Sequence, residues 1–495
     1  MLCRKLAGKR ILPFPIRIKC NGYLTVYLSL SLSIILSLIL TLVEGARIST
    51  TRMEAECVAD IGMNSVLAEF HRELLEQYDL FFVDMSYGSA NPRIENSGEH
   101  LRSYMKHNFL SEEKKLVGIR DFLGLEVDRA IIPEYAIASD EGGRVMRKQA
   151  VTYMEESTVE GALSKIAGQA QEVEGGGLDI RNIDQEESEI QSQIDAIELP
   201  KEKDEKGEEK EISLDNPADV VEGLKGSGIL EIVLYDVSDL SAAAIYKEEY
   251  LSQREKIVGT GLPPEAGSPD GITQKLLFQE YLMEKCGYYG KLQEKSLLKY
   301  QTEYILAGED SDRKNLEKVA NKLLDWKKVT NTAYILTDAA KCAEAEALAL
   351  TLTAVMQVPA LVQPVKYSIL YAWAYIESLC DVRCILKGGK LPVLKTAKDW
   401  KTGIESITNF TGTIPHREEN EEGLSYKDYL KIMLFLQADE IQNMRMMDIM
   451  EMDIRKTRGN SEFRMDACFD SFLADIEISG GFGTNAQIRK RYGYQ

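Results

Sequence analysis

His71, His100, His107 and His416 are the 4 histidines in this chain, and with 8 cysteines and 79 carboxylates they make up its stock of acid–base, thiol and metal-binding groups. His100 and His107 lie two helical turns apart with Glu99 beside His100, so a helix would present both imidazoles on one face, the start of a metal site. No further ligand is spaced to complete it, and surface histidines are the expected reading. Cys380 and Cys384 are four apart on an expected helix, but no histidine lies nearby to finish a metal set. With Cys57, Cys286, Cys342 and Cys468 they are too sparse and irregular for a disulfide scaffold, and are read as buried free thiols. Cys3 and Cys20 stand apart near the N-terminus.

Gly223, Gly226 and Gly228 precede an expected strand rather than follow one, so they do not form a dinucleotide-binding turn. The sequence holds no phosphate-binding G-x-x-x-x-G-K-[ST], no G-x-S-x-G, no H-E-x-x-H and no paired C-x-x-C. Carboxylates are too plentiful for a paired acid/base site to be located. No catalytic, cofactor-binding or metal residue is assigned, no cofactor is expected, and the chain is not expected to be an enzyme.

One stretch organises the elements that would position any such group. Tyr23 to Val43, YLTVYLSLSLSIILSLILTLV, carries no charge, Gly or Pro. As an α-helix it spans about 31 Å, the hydrocarbon thickness of a bilayer, where only a helix can satisfy its own backbone. Residues 1–22 hold Arg4, Lys5, Lys9, Arg10, Arg17 and Lys19 and no acid, whereas residues 44–60 hold Glu44, Glu54, Glu56 and Asp60 against Arg47 and Arg52. The basic excess places the N-terminus in the cytoplasm and the bulk of the chain outside. A cleaved leader ending near Gly45-Ala46 is the competing reading; an apolar run of 21 residues and the lack of an A-x-A site favour an anchor. The net charge of −20 conceals +6 before the span, which leaves −26 for the rest. So acidic an exterior argues against nucleic acid as a partner.

The expected fold class is α+β, predominantly α. The expected divisions are a cytoplasmic basic tail (1–22), the transmembrane helix (23–43), a juxtamembrane helix with a small α+β domain (44–168), an acidic flexible linker (169–215), a mainly helical extracytoplasmic domain (216–479) and a tail (480–495). Met63, Leu67, Phe70, Leu74, Tyr78 and Phe81 recur at threes and fours, so Glu44 to Tyr78 reads as one helix whose stripe packs on its own domain or on a neighbouring copy. Residues 99–124 read as helix, and 142–154 likewise. Ala130 to Ala138 reads as an edge strand because Pro133 cannot donate to a ladder. Residues 184–211 hold 12 acids and 4 bases with no aromatic residue, and are read as disordered or a loose helix that solvates rather than binds. Gly228–Val237 (GILEIVLYDV) is the strongest strand candidate, and residues 259–271 read as loop.

Further along, helix dominates. Asp270 opens a helix expected to continue through Tyr289. A second helix after Asp310-Ser311-Asp312 carries Leu316, Val319, Leu323 and Trp326. Residues 338–357 form an Ala/Leu-rich helix. Pro364 sits in the first turn of another, bearing Val365, Ile369, Trp373, Ile376 and Cys380, which Gly388-Gly389 stops. Ser425 and Asp428 form a capping box for a long helix to about Arg458. The 6 methionines between Met433 and Met452 are either an adaptable docking face or, as expected, irregular core filling. FDSFLADIEISGGFG alternates as a strand does.

Gly22, Glu44, Arg47, Arg52 and Ala59, framing GYLTVYLSLSLSIILSLILTLVEGAR, give an N-terminus that resembles tight-adherence (Flp-type) pilus proteins of the TadE/TadG kind. Tyr27 stands where pilin-like proteins often carry Glu, so the helix reads as a lasting anchor rather than a polymerising stem. YQTEYILAGEDSDRKNL (300–316), YAWAYIESLCDVRCILKGGKLPVLK (371–395) and LSYKDYLKIMLFL (424–436) resemble an uncharacterised Gram-positive family of membrane-anchored proteins associated with such pilus systems. The resemblance implies a structural or accessory component of a pilus or secretion apparatus. Its expected partners are the bilayer, through residues 23–43, and pseudopilins or pilus-assembly proteins. A tethered extracellular binding or sensor module is the alternative, with an ectoenzyme behind it.

Overall fold

The computed structural model describes residues 22–109, 124–156, 168, 180–197, 201–203, 209–211, 216, 218–226, 228–234, 236–262, 271–354, 356–408 and 423–494. The basic tail with Cys3 and Cys20, most of the far half of the helix expected over 99–124, Gly175-Gly176-Gly177, Asp270 and His416 lie outside them. The fold is α+β and mostly helical, 63% helix to 11% strand, with a long apolar N-terminal helix and a small antiparallel sheet.

The chain divides into two compact units. The first comprises Met1–Met63, Leu101–Ala130 and Asp475–Arg489. It is organised by α1 (Gly22–Leu67). The apolar part of α1 buries nothing and has a mean hydropathy of 2.4, the signature of a single span or a leader. From Arg47 onward one face turns inward, with Thr51, Ala55, Val58, Ala59 and Met63 buried. Gly62 lets α1 approach the helix that carries Leu101 and Met105: a Cβ there would stand 2.8 Å from Met105 Cγ and 3.1 Å from Leu101 Cδ1.

The second unit comprises Asn64–His100, Ile131–Ala474 and Lys490–Gln495. The helix expected to run to Tyr78 breaks at Leu67 and restarts as α2 (Arg72–Tyr78). His71 makes the break, since its Nδ1 accepts the Leu74 N–H at 3.3 Å as an N-cap. The stripe faces its own chain, with Leu67, Leu74 and Tyr78 all buried. Then come β1 (Val83–Asp84), α3 (Ile94–Phe109), β2 (Glu126–Ile137) and α4 (Asp140–Glu156). The sheet is completed from the far end of the chain by β5 (Cys468–Gly480), which pairs with β1, with β2 and with β6 (Thr484–Gly493), the last within the expected tail. β2 is an edge strand, as Pro133 requires.

Two expectations fail here. The acidic stretch contains α5 (Ile180–Asp195), followed by a hairpin of β3 (Lys201–Lys203) and β4 (Glu209–Glu211). Helix α5 buries Ile183 and Ile194, so this part of the stretch is docked rather than merely solvating. GILEIVLYDV is not a strand. After α6 (Ala218–Lys225) it forms α7 (Ile229–Leu234), with Ile229, Leu230, Ile232 and Val233 buried. A short apolar run has no period that separates a strand from a fully buried helical turn.

The remaining helices are α8 (Ile272–Lys285), α9 (Gln301–Ala307), α10 (Asp312–Thr337), α11 (Ala339–Ala354), α12 (Val362–Leu386), α13 (Glu405–Thr408), α14 (Tyr426–Leu436) and α15 (Asp439–Arg455). Helix α8 stops four residues short of Tyr289, because the Gly287 N–H is taken by Gln301 Oε1 at 3.0 Å. Helix α12 buries 21 of its 25 residues, so beyond Tyr367 it has no solvent face, and it packs against α5, α6, α7, α10, α11 and α13. Pro364 lies in its first turn and Gly388, at φ +96°, follows its end.

The helix expected to run from Ser425 to about Arg458 is two. Gln437 and Ala438 are extended, and the Gln437 amide leaves the helix path to donate to Ile305 O and Leu306 O at 3.0 and 3.2 Å, capping the end of α9. All 6 methionines are buried, so they fill core. The capping box forms: Ser425 Oγ accepts the Asp428 N–H at 3.3 Å and Asp428 Oδ2 accepts the Ser425 N–H at 2.9 Å. Replacing Ser425 with Ala removes one half of that exchange, and chemical denaturation is expected to show a loss of about 1 kcal/mol.

Candidate functional site

The side chains singled out by type do not converge. Cys380 and Cys384 are buried on α12, and Cys286 and Cys468 are buried elsewhere; Cys342 is half-buried and Cys57 exposed. His100 Nδ1 meets Glu69 at 2.8 Å and its ring lies 4.2 Å from that of Tyr87. His107 Nδ1 meets Ser103 O, one turn back. His71 is the α2 cap. Gly223, Gly226 and Gly228 fall within and between α6 and α7, where no strand feeds them. Among the described residues no group of His, Cys, Asp and Glu is placed to hold a metal ion.

Buried carboxylates are instead gathered around the stretch that begins YQTEYILAG, and they tie down irregular chain through its backbone or its side chains. Gln301 Nε2 donates to Ser296 Oγ and to Asp453 Oδ2, both at 2.9 Å. Glu303 Oε1 accepts the Tyr289 N–H and the Tyr426 hydroxyl, both at 2.8 Å. Asp312 accepts the N–H of Lys299 at 2.8 Å and of Tyr300 at 3.1 Å. Together they fix residues 286–300, which carry no regular element.

A second group fixes the long segment 236–262. Asp448 Oδ1 accepts the Ser252 N–H and Asp466 Oδ2 the Ile257 N–H, both at 2.8 Å. Arg254 bridges Asp466, with both contacts at 2.8 Å, and Glu451 at 2.5 Å. Their environments push these acids apart. Burial raises Glu451 to about 7 against the pull of Arg254 and Arg455. Asp466 is also raised by burial, but its bonds to Arg254 and Arg464 overcome that and hold it at about 2. The pattern has the look of an acid/base pair, yet the partners of Glu451 and Asp466 are backbone N–H groups and arginines, and the group holds chain in place.

A candidate ligand site lies where α5, α6, α10 and α12 meet. It is a cavity of about 570 Å³. Lys328, on α10, reaches Asp184 Oδ1 at 2.7 Å and Glu187 Oε2 at 3.0 Å on α5, and the Glu186 carboxylate takes the Tyr371 hydroxyl from α12. These contacts pin α5 over the cavity. Burial, and then the nearby Asp184, raise Asp325 in its wall, with Lys328 opposing. Charges of both signs line it beside Tyr371 and Tyr375. Composition hid this site. The signal that reveals α5 is the spacing of Ile183, Ile190, Ile194 and Ile197, a helical face within an acidic run.

These features define a mostly helical protein with one apolar N-terminal helix. The chain belongs to the DUF5702 family, a family of unknown function, whose family model matches residues 206–480. No match was found among curated proteins or among solved structures. The matched range contains the loop-fixing carboxylates and α12 but not α1 or α5, and the family description names no pilus system.

The clearest titration expected here is that of Glu303. Burial raises it to about 7, against the bonds from Tyr289 and Tyr426, and its Oε2 is buried with no hydrogen-bond partner. Because the folded state binds this proton more tightly than the unfolded one, the stabilisation is complete below the unfolded value and is lost as pH rises through about 7. Glu303→Gln keeps the Oε1 acceptor and cannot ionise. Measured by denaturation, the variant is expected to match the parent near pH 4 and to exceed it by about 2–3 kcal/mol near pH 8.

Proposed function

We propose that this chain is a membrane-anchored, extracytoplasmic accessory component of a tight-adherence pilus or related secretion apparatus, acting by protein–protein contact rather than by catalysis. Its partners would be pseudopilins or pilus-assembly proteins. The observation that carries the proposal is the continuity of α1: the helix leaves its apolar segment without a break and within one turn is packed against the first unit. On the opposite face Met53 and Ile61 are 62% and 47% exposed, with Cys57 exposed between them, at spacings of four. Exposed apolar side chains in register on a membrane-proximal helix suit a helical partner. The basic residues before Tyr23 and the acids after Val43 support an inward N-terminus. A tethered binding module is the second reading, and the cavity under α5 is the observation in its favour.

Leu67 is buried in its own chain and is a poor crosslinking position. A photo-crosslinking residue at Met53 or Ile61 is expected to capture a small pilin-like protein in intact membranes; adducts with lipid alone would count against the proposal. Orientation has a separate readout. A membrane-impermeant maleimide is expected to label Cys57 on whole cells, and labelling only after lysis would reverse the assignment.

A further inference from the structure

The first unit brings a second stretch of chain close to the end of the apolar segment. Val43 ends the apolar segment and Arg47 lies four residues on, about 6 Å along an unbroken helix. The headgroup layer of one leaflet is itself about 5–7 Å deep. Arg47 Nη1 donates to Gly481 O at 2.6 Å, while Nη2 and Nε hold Glu44 at 2.6 and 3.0 Å. Gly481 O also accepts the Thr484 hydroxyl at 3.0 Å, so the turn between β5 and β6 is tied at its own tip. Its tightness is glycine chemistry: Gly483 has φ +76°, and a Cβ on Gly480 would meet Thr484 Oγ1 at 2.7 Å.

We infer that the tip of the β5–β6 hairpin, Gly480–Gly483, rests in the headgroup layer of the bilayer, held there by Arg47, and that the lipid surface is therefore a partner of the folded unit as well as of the span. The charge of the tip itself suits the same occupant. Ile478 to Thr484 holds no charge of either sign, so no ionised side chain of the tip has to be desolvated against headgroups. The contact would set the tilt of the first unit on the membrane, which a single helix in lipid leaves free to swivel.

This inference rests on the anchor reading, and the test separates the two. The full chain is reconstituted in vesicles of phosphatidylcholine and phosphatidylglycerol. A fluorescent amino acid is placed in turn at Asn485, Gln487 and Arg489, which are exposed on one face of β6, and, in a further sample, at Leu36 in the span. Lipids bear a nitroxide quencher on the headgroup for the β6 series and in mid-chain for Leu36. The expected result is strong quenching at Leu36 and headgroup quenching at Asn485 roughly twofold or more that at Arg489, because each step moves about 7 Å along the strand. Arg47→Ala is expected to lower the Asn485 signal and leave Leu36 unchanged. Quenching at Leu36 with an equal, low signal at all three β6 positions would overturn the inference and spare the anchor. No quenching at Leu36 would remove the anchor and the inference together.

Discussion

The second unit depends on burying α12 on every side, and that burial is paid for at one ionic centre. Glu377 and Asp381, one turn apart on α12, enclose Lys395; all three side chains are fully buried. Taking three charges out of water costs several kcal/mol per ion unless every lone pair and proton is met. Here they are closely matched. Lys395 bonds Glu377 and lies 2.8 Å from Asp381. Glu377 also accepts the N–H of Lys401 at 3.2 Å and of Thr402 at 2.9 Å. Asn331, from α10, donates to Asp381 at 3.2 Å. Burial alone would raise Glu377, but the charge of Lys395 and these bonds hold it below its ordinary range. The centre thus fixes the rotation of α12 against α10 and the course of residues 395–402, where Trp373 and Trp400 share Thr402 as hydrogen-bond acceptor.

The same device recurs in two stretches that contain no α-helix or strand. Residues 236–262 and 286–300 have few backbone partners of their own, and buried backbone N–H groups must find acceptors. Carboxylates on α9, α10 and α15 and at Asp466 supply them. This accounts for the buried, perturbed acids of an acidic chain. In residues 300–316 the polar positions Gln301, Glu303 and Asp312 are engaged with the loops they touch.

Much of this was legible beforehand where a local rule governs. Pro133 marked an edge strand, Pro364 a first turn, Ser425 with Asp428 a capping box, and the alternation after Cys468 a strand. Leu316, Val319 and Leu323 fell on one buried face as their spacing requires. The misreadings came from partners far away in sequence. Gln437 breaks a helix because α9 offers it carbonyls from 132 and 131 residues back. Helix α5 looked like solvated chain because its acids dominate its composition, although Lys328 and Tyr371 were waiting to receive them. GILEIVLYDV could not declare its period in so few residues.

By itself the sequence determined what depends on a residue and its near neighbours: a bilayer-length apolar helix, mostly helical content, caps, proline positions and the lack of a familiar catalytic motif. Only the tertiary structure decided which carboxylates are buried, which loops they hold, that the last strands complete a sheet begun by residues 83–84, and that Arg47 meets Gly481. Local rules act through backbone geometry and survive in any context, whereas the value of a charge is set by the solvent it loses and the partner it gains, and both are supplied by distant chain.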